Sequence, residues 1–186
     1  MAESVCPWWL GYLLASPLRR LLQKPEELLA PYVETGMTAL DIGCAMGFFS
    51  LPLAELVGPD GRVICVDLQE RMIRSLRKRV ARAGLEARIE TRVCSVDSLG
   101  TSDLDAAVDF AMAFAVVHEV PDADRLLAEI HSALRAKGRF LLAEPSGHVS
   151  EDKFAATLAA AEGAGLSVVA RPQARMSHMA LFEKGG

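Results

Sequence analysis

The stretch Thr38–Val57, TALDIGCAMGFFSLPLAELV, decides how the chain is read. An apolar run leads into Asp41. Gly43, Ala45 and Gly47 then follow at every second position, and apolar residues recur at helical spacing from Phe48. A buried strand, a tight turn and a helix in that order form the opening unit of an open α/β sheet.

The same alternation extends on both sides. Pro25, Glu26 and Glu27 open a helix reaching about Val33, because proline suits the first turn and acids favour the positive helix end. Met37–Ile42 reads as a strand and Phe48–Val57 as a helix. The turn Gly58–Gly61 leads into strand Arg62–Val66. Met72, Ile73, Leu76 and Val80 form the apolar side of a helix Arg71–Ala83, which Gly84 ends. Strands follow at Arg88–Val93 and Ala107–Phe114. Asp122 is placed to cap a helix Ala123–Ala136, Lys137-Gly138 turns into strand Arg139–Ala143, and Ser150 is placed to cap a helix Glu151–Ala164.

Leu166–Ala170 and Met176–Glu183 are the last two strands. Only about five residues separate them, too few for a crossover helix, so they must pair antiparallel. The other strands are continuously apolar, as in a parallel sheet covered on both faces. The expected fold is α/β, with a seven-stranded, mostly parallel sheet, a C-terminal antiparallel hairpin and helices on both faces. The expected division is a helical flap over residues 1–24 and one domain over 25–186.

The bulk properties narrow the function. The chain has 186 residues, half of them hydrophobic and a quarter charged, which suits one globular domain with a substantial core. A net charge of −4 gives no general attraction to nucleic acid or acidic membranes. Cys6, Cys44, Cys65 and Cys94 form no C-x-x-C pair, so reduced thiols in a cytoplasmic protein are expected. Val5–Leu18 carries no charge, but it is shorter than the roughly 20 residues that span a bilayer, and Pro7, Gly11 and Pro17 interrupt it. It reads as an apolar flap of a soluble protein without stable membrane insertion.

Ligands of such sheets bind beyond the carboxyl ends of the strands, beside the first strand. Gly43 and Gly47 lie in the turn leaving that strand, where small residues let the backbone approach a ligand. Asp67 ends the second strand about twenty residues further on, where a carboxylate can grip ribose hydroxyls. A nicotinamide dinucleotide would require glycines where this chain has Ala45 and Phe48.

At these residues the chain resembles a known family. LDIGCAMG (Leu40–Gly47) with VDLQERM (Val66–Met72) is similar to class I S-adenosylmethionine-dependent methyltransferases with their Rossmann-like fold. VDFAMAFAVVHEVPD, AKGRFLLAEP and the terminal hairpin extend the likeness over roughly Pro25 to Lys184. It is nearest the small-molecule branch that includes the ubiquinone and menaquinone methyltransferases. The resemblance implies S-adenosylmethionine as cofactor and a small-molecule methyl acceptor. It places the Asp41–Gly47 turn, with Gly43, Cys44 and Ala45, around the methionine part, Asp67 on the ribose, and Leu68 and Met72 beside the adenine, with Phe48 a further cofactor-binding residue. The adenine edge would meet Ser95 and Val96; Ser95 stands at the usual aspartate position, with Asp97 two residues on. The Phe114–Ala115 backbone would face the cofactor's amino group. Ala45 occupies a usual glycine position and is expected to keep φ negative, so that alanine costs little there.

Methyl transfer needs in-line alignment, and a base only where the acceptor must lose a proton. His118 and His148 follow neighbouring strands at the ligand end and are the candidate bases, with Glu144 beside the acceptor. Cys6, Trp9 and Tyr12 of the flap are expected to line the acceptor pocket as part of a lid; a dimer contact or a membrane-surface anchor are the other readings of that segment. No ligand spacing supports a metal. Arg71, Arg74, Arg77, Lys78, Arg79 and Arg82 lie opposite the apolar stripe and read as a solvated face. The rival function is a non-catalytic S-adenosylmethionine-binding or regulatory partner protein. A monomer or homodimer is expected.

Overall fold

The computed structural model describes residues 23–174 and 176–186. The flap expected over residues 1–24, with Cys6, Trp9 and Tyr12, lies almost wholly outside the described residues. The chain divides into two compact units, Met1–Cys94 and Ser95–Gly186.

In the first unit a short helix α1 (Pro25–Leu29) precedes β1 (Thr38–Ile42), α2 (Ser50–Leu56), β2 (Arg62–Asp67), α3 (Glu70–Ala83) and β3 (Ile89–Val93). The strands lie in the order β3-β2-β1 and are all parallel, with Asp41 opposite Cys65 and Asp67 opposite Val93. β1 and β2 are buried along nearly their whole length, as expected of inner strands of a parallel sheet covered on both faces. α3 buries Met72, Ile73, Leu76 and Val80 and ends at Gly84, whose left-handed φ of +67° turns the chain away. Arg71, Arg74, Arg77, Lys78 and Arg82 are exposed, whereas Arg79 is half-buried.

The second unit contains β4 (Val108–Phe114), α4 (Ala123–Ala133), β5 (Leu134–Pro145), α5 (Glu151–Gly163), β6 (Leu166–Ala170) and β7 (Ser177–Lys184). The strand order is β4-β5-β7-β6; β4 and β5 run parallel, and β7 is antiparallel to both neighbours. Phe110, Phe140 and Phe182 are fully buried, and the rings of Phe140 and Phe182 stack 5.7 Å apart. Both expected caps form: Asp122 accepts from the Arg125 amide at 2.9 Å and Ser150 from the Lys153 amide at 3.3 Å.

The α/β, seven-stranded, mostly parallel sheet with its C-terminal antiparallel strands is the predicted architecture. Some boundaries differ: α1 stops at Leu29, short of Val33, and α2 begins at Ser50 rather than Phe48. α4 stops at Ala133, three residues before its expected end, and β5 begins at Leu134 rather than Arg139. Lys137 takes φ +60°, and the Gly138 backbone presses on the Val108 carbonyl, where a Cβ would come to 2.9 Å. Lys184 donates to the carbonyls of His131 and Leu134 at 2.8 Å each, supplying the partners that the helix end lacks. No helix among the described residues is long and apolar enough to cross a membrane.

Candidate active site

The turn after β1 is fastened from several sides. The amides of Gly43 and Cys44 both donate to the Val66 carbonyl, at 2.9 and 3.1 Å, and the Gly47 amide donates to the Cys44 carbonyl at 2.9 Å. The Ala45 amide donates to Oδ2 of Asp67 at 2.8 Å, and the Gln69 amide donates to Oδ1 at 2.8 Å. Asp67 therefore ties the turn after β1 to the turn after β2. On the other side, Nη1 of Arg79 donates to the Met46 carbonyl at 2.5 Å. That contact takes Arg79 out of the solvated face expected for α3.

Gly43, Ala45 and Gly47 have φ of +68°, +47° and +81°. The expected negative φ at Ala45 is thus corrected. The alternating backbone that admits glycine at 43 and 47 also requires the left-handed region at 45, where alanine is strained by about 1–2 kcal/mol. Ala115, also expected to face the cofactor, has φ +56° just after β4, its amide held by the Ala143 carbonyl at 2.8 Å. Two of the four non-glycine residues with positive φ among the described residues therefore fall at expected cofactor positions, and such strain gathers at functional sites. The Ala45→Gly variant is expected to be more stable by about 0.5–1 kcal/mol, strain relief outweighing the extra freedom of the unfolded chain. A higher urea midpoint at unchanged slope would show it; a lower midpoint would contradict the strained geometry.

Asp41 is buried beneath the turn, where its Oδ2 accepts from Ser50 Oγ at 2.5 Å. Burial pushes its carboxyl up to about 7; the Ser50 bond opposes this and the nearby Asp67 charge adds to it. Cys44 is buried and its thiol is pushed up by burial, which makes it a protonated hydrophobe, and Cys65 is fully buried. Phe48 is buried, its ring edge-on to Phe49 at 5.0 Å.

Of the two residues expected beside an adenine, Leu68 is 37% exposed but Met72 only 2%, so Leu68 alone offers apolar surface. Met72 belongs to the buried stripe of α3. In the second unit, Ser95 bridges to Ser98: its amide donates to the Ser98 carbonyl at 3.0 Å and its hydroxyl to the same oxygen at 3.4 Å. Val96, more than half exposed, and Asp97 form the tip of that turn, and Asp97 meets Arg125 at 3.5 Å. Glu129 of α4 holds the turn from behind, accepting from the Leu99 amide at 2.8 Å and Ser98 Oγ at 3.1 Å. Sequence reading named neither Glu129 nor the tether from Arg79, since their partners lie about thirty residues away in the chain.

β4 and β5 leave the sheet side by side, with Phe114 opposite Ala143. His118 follows in a 3-10 turn, Val117–Glu119, and its Nδ1 makes a short contact with Oε2 of Glu144. Oε1 of Glu144 accepts from the Val117 amide at 2.9 Å. Glu144 is 1% exposed; its placement behind His118 gives it no open face for an acceptor. Burial pushes its carboxyl up, while His118 and the amides of Val117 and His118 pull it down. His148 lies exposed on the turn after β5, outside this pair. His178 of β7 braces the same turn, with Nε2 3.1 Å from the Val149 carbonyl and its ring stacked on Phe154 at 5.3 Å. Among the described residues no group of three His, Cys, Asp or Glu is placed to hold a metal.

A strand–turn–helix held by a carboxylate from the next strand, within a seven-stranded sheet whose seventh strand lies antiparallel between the fifth and sixth, defines a methyltransferase fold. The chain belongs to the methyltransferase domain family, whose model matches residues 33–181. It is 31% identical over 114 residues to the demethylmenaquinone methyltransferase of Lactobacillus johnsonii, covering 61% of this chain and 46% of that one. It is 33% identical over 109 residues to the arsenite methyltransferase of Halobacterium salinarum, covering 59% and 27%. The fold matches the crystal structure of a SAM dependent methyltransferase from Aquifex aeolicus with a TM-score of 0.86 and 23% identity, over 96% of this chain and 99% of that one. The chain spans about half or less of the length of the curated relatives it matches.

Proposed function

We propose that the chain transfers the methyl group of S-adenosylmethionine to a small-molecule acceptor by direct displacement. The observation that carries this reading is Asp67, at the carboxyl end of β2, with one oxygen on the Ala45 amide and the other on the Gln69 amide. A carboxylate offers about four acceptor sites, so Asp67 can fix the turn and receive ribose hydroxyls together. Asp41–Gly47 then surround the methionine part, with Phe48 next to them, and Leu68 and Met72 flank the adenine. Ser95, Val96, Phe114 and Ala115 complete the cofactor contacts in this reading.

S-adenosylmethionine, when bound, supplies an electrophilic methyl group. The chain's own residues bind it, align the acceptor and exclude water. His118 is the candidate base for an acceptor that must lose a proton; His148, on its exposed turn, is the second candidate. Cys6, Trp9 and Tyr12 belong to the proposed acceptor lid. Both relatives named above are called methyltransferases of small species, a quinone precursor and arsenite, which supports the acceptor class. The net charge of −4 supports a protein that does not act on nucleic acid, and cysteines without a C-x-x-C pair support a cytoplasmic one; in this reading it acts as monomer or homodimer.

Calorimetric titration with S-adenosylmethionine and with its demethylated product tests the reading. Both are expected to bind and to raise the melting temperature, as any ligand of the native state does. Asp67→Ala is expected to weaken binding by about tenfold or more, since bonds to a charged group are worth roughly 1.5–3 kcal/mol. Arg82→Ala, on the exposed side of α3, is expected to leave it unchanged. Absence of heat with both compounds would reject the reading. A protein that binds both but methylates nothing in a broad acceptor screen would favour the non-catalytic alternative.

A further inference from the structure

We infer that Glu144 is the positioning residue of His118: it fixes the ring proton on Nδ1 and leaves Nε2 as the atom that receives the acceptor's proton. The inference rests on the methyl-transfer reading above and assigns the chemistry within it.

Three observations converge. Oε2 of Glu144 faces Nδ1 of His118, so one ring nitrogen is committed and Nε2 is the other. Oε1 holds the Val117 amide, the residue that begins the turn carrying the imidazole, so a single carboxylate fixes both the ring and its backbone. Finally, Glu144 is 1% exposed while the His118 side chain is 23% exposed, so the carboxylate lies behind and the imidazole reaches out.

The proton could in principle sit on either partner. An amide can only donate, and that of Val117 is bonded to Glu144. Burial pushes the Glu144 carboxyl up, but the facing imidazole and the Val117 amide both favour the carboxylate. The imidazole then donates through Nδ1, and the lone pair is left on Nε2.

In the step this arrangement serves, the acceptor's proton passes to Nε2. The electron pair it leaves forms the new bond to the methyl carbon, and the pair of the broken carbon–sulfur bond stays on sulfur. The imidazolium so formed faces the Glu144 carboxylate. Acceptors whose attacking atom carries a proton gain from this arrangement; those that attack through an existing lone pair do not need it.

Long-range proton–nitrogen correlation spectra of the ¹⁵N-labelled full chain test the assignment without any acceptor. His118→Gln identifies the ring signals. In the neutral ring, the wild-type protein is expected to show Nδ1 protonated and Nε2 bare. A protonated Nε2 in the neutral ring would overturn the inference by itself, whether or not any variant folds. Glu144→Gln, whose amide can donate to Nδ1, is expected to move the population toward the Nε2–H form while leaving affinity for S-adenosylmethionine within about threefold. An unchanged tautomer in that variant would also overturn it. Failure of the wild-type protein to bind S-adenosylmethionine would instead reject the methyl-transfer reading, and with it the proton-receiving role, while the tautomer assignment stood.

Discussion

Gly47→Ala is expected to lower folding stability by about 2–5 kcal/mol, the sum of left-handed strain and overpacking. A Cβ at Gly47 would come within 2.4 Å of Cδ1 of Leu76 and 2.7 Å of Cδ1 of Leu51. Both are side-chain ends, which elsewhere could swing aside. Leu76, however, is fully buried on α3, so its movement would disturb the core. The backbone adds its own demand at φ +81°. Because domains are stable by only about 5–15 kcal/mol, such a loss should be plain in the urea midpoint, and cofactor affinity should fall with it. Gly84→Ala is the control, since it shares the left-handed φ but its added Cβ would meet nothing within 4 Å. Equal losses in the two variants would show that strain alone acts at Gly47 and that the contact with Leu76 is unimportant.

The second large effect concerns Asp41 and pH. Its folded value of about 7 lies well above the ordinary carboxyl value of 3.8, with burial the main cause. Between those two values the native state holds a proton that the unfolded chain has released. Stability therefore falls as pH rises through that window, and the loss is complete once pH has passed about 7. The size is of order 4 kcal/mol at most, at about 1.4 kcal/mol per pH unit. Asp41→Asn keeps a neutral group of similar shape beside Ser50. It is expected to remove this part of the pH dependence and to be more stable than the wild type at pH 8, with little difference at pH 4. Denaturation midpoints across that range measure it. Curves that stay parallel over the whole range would mean that Asp41 is ionised in the folded protein throughout.

Much of the fold could be read directly. Continuous apolar strands, the caps Asp122 and Ser150, and a linker too short for a crossover each carry one dominant physical cause, and each appears as expected. Two local features were hidden because they depend on partners remote in the chain. The end of α4 is set by Lys184 from β7 and by Gly138 against β4, neither visible in the helical pattern of Ala123–Ala136. The left-handed φ of Ala45 goes with the turn between Gly43 and Gly47 and with the bond of its amide to Asp67, twenty-two residues away, against the preference of alanine itself. The same holds at the site. Gly43, Gly47 and Asp67 announce themselves by type and spacing, whereas the commitment of Arg79 to Met46 could not be told from a solvated arginine. Met72 belongs to the buried stripe of α3 and also lies near Asp67, so its position in the sequence suggests two roles at once.

β7 follows β6 in the chain but lies between β5 and β6 in the sheet. Phe182 faces Phe140 on one side and Val168 on the other, so one strand completes two seams at once. On a translating ribosome, β5 and β6 therefore emerge with bare edges and no claim on each other. Only when the Ser177–Lys184 segment leaves the exit tunnel can it slot between them. Until then the nascent polypeptide exposes sheet borders of the kind that chaperones shield and that neighbouring nascent chains can capture.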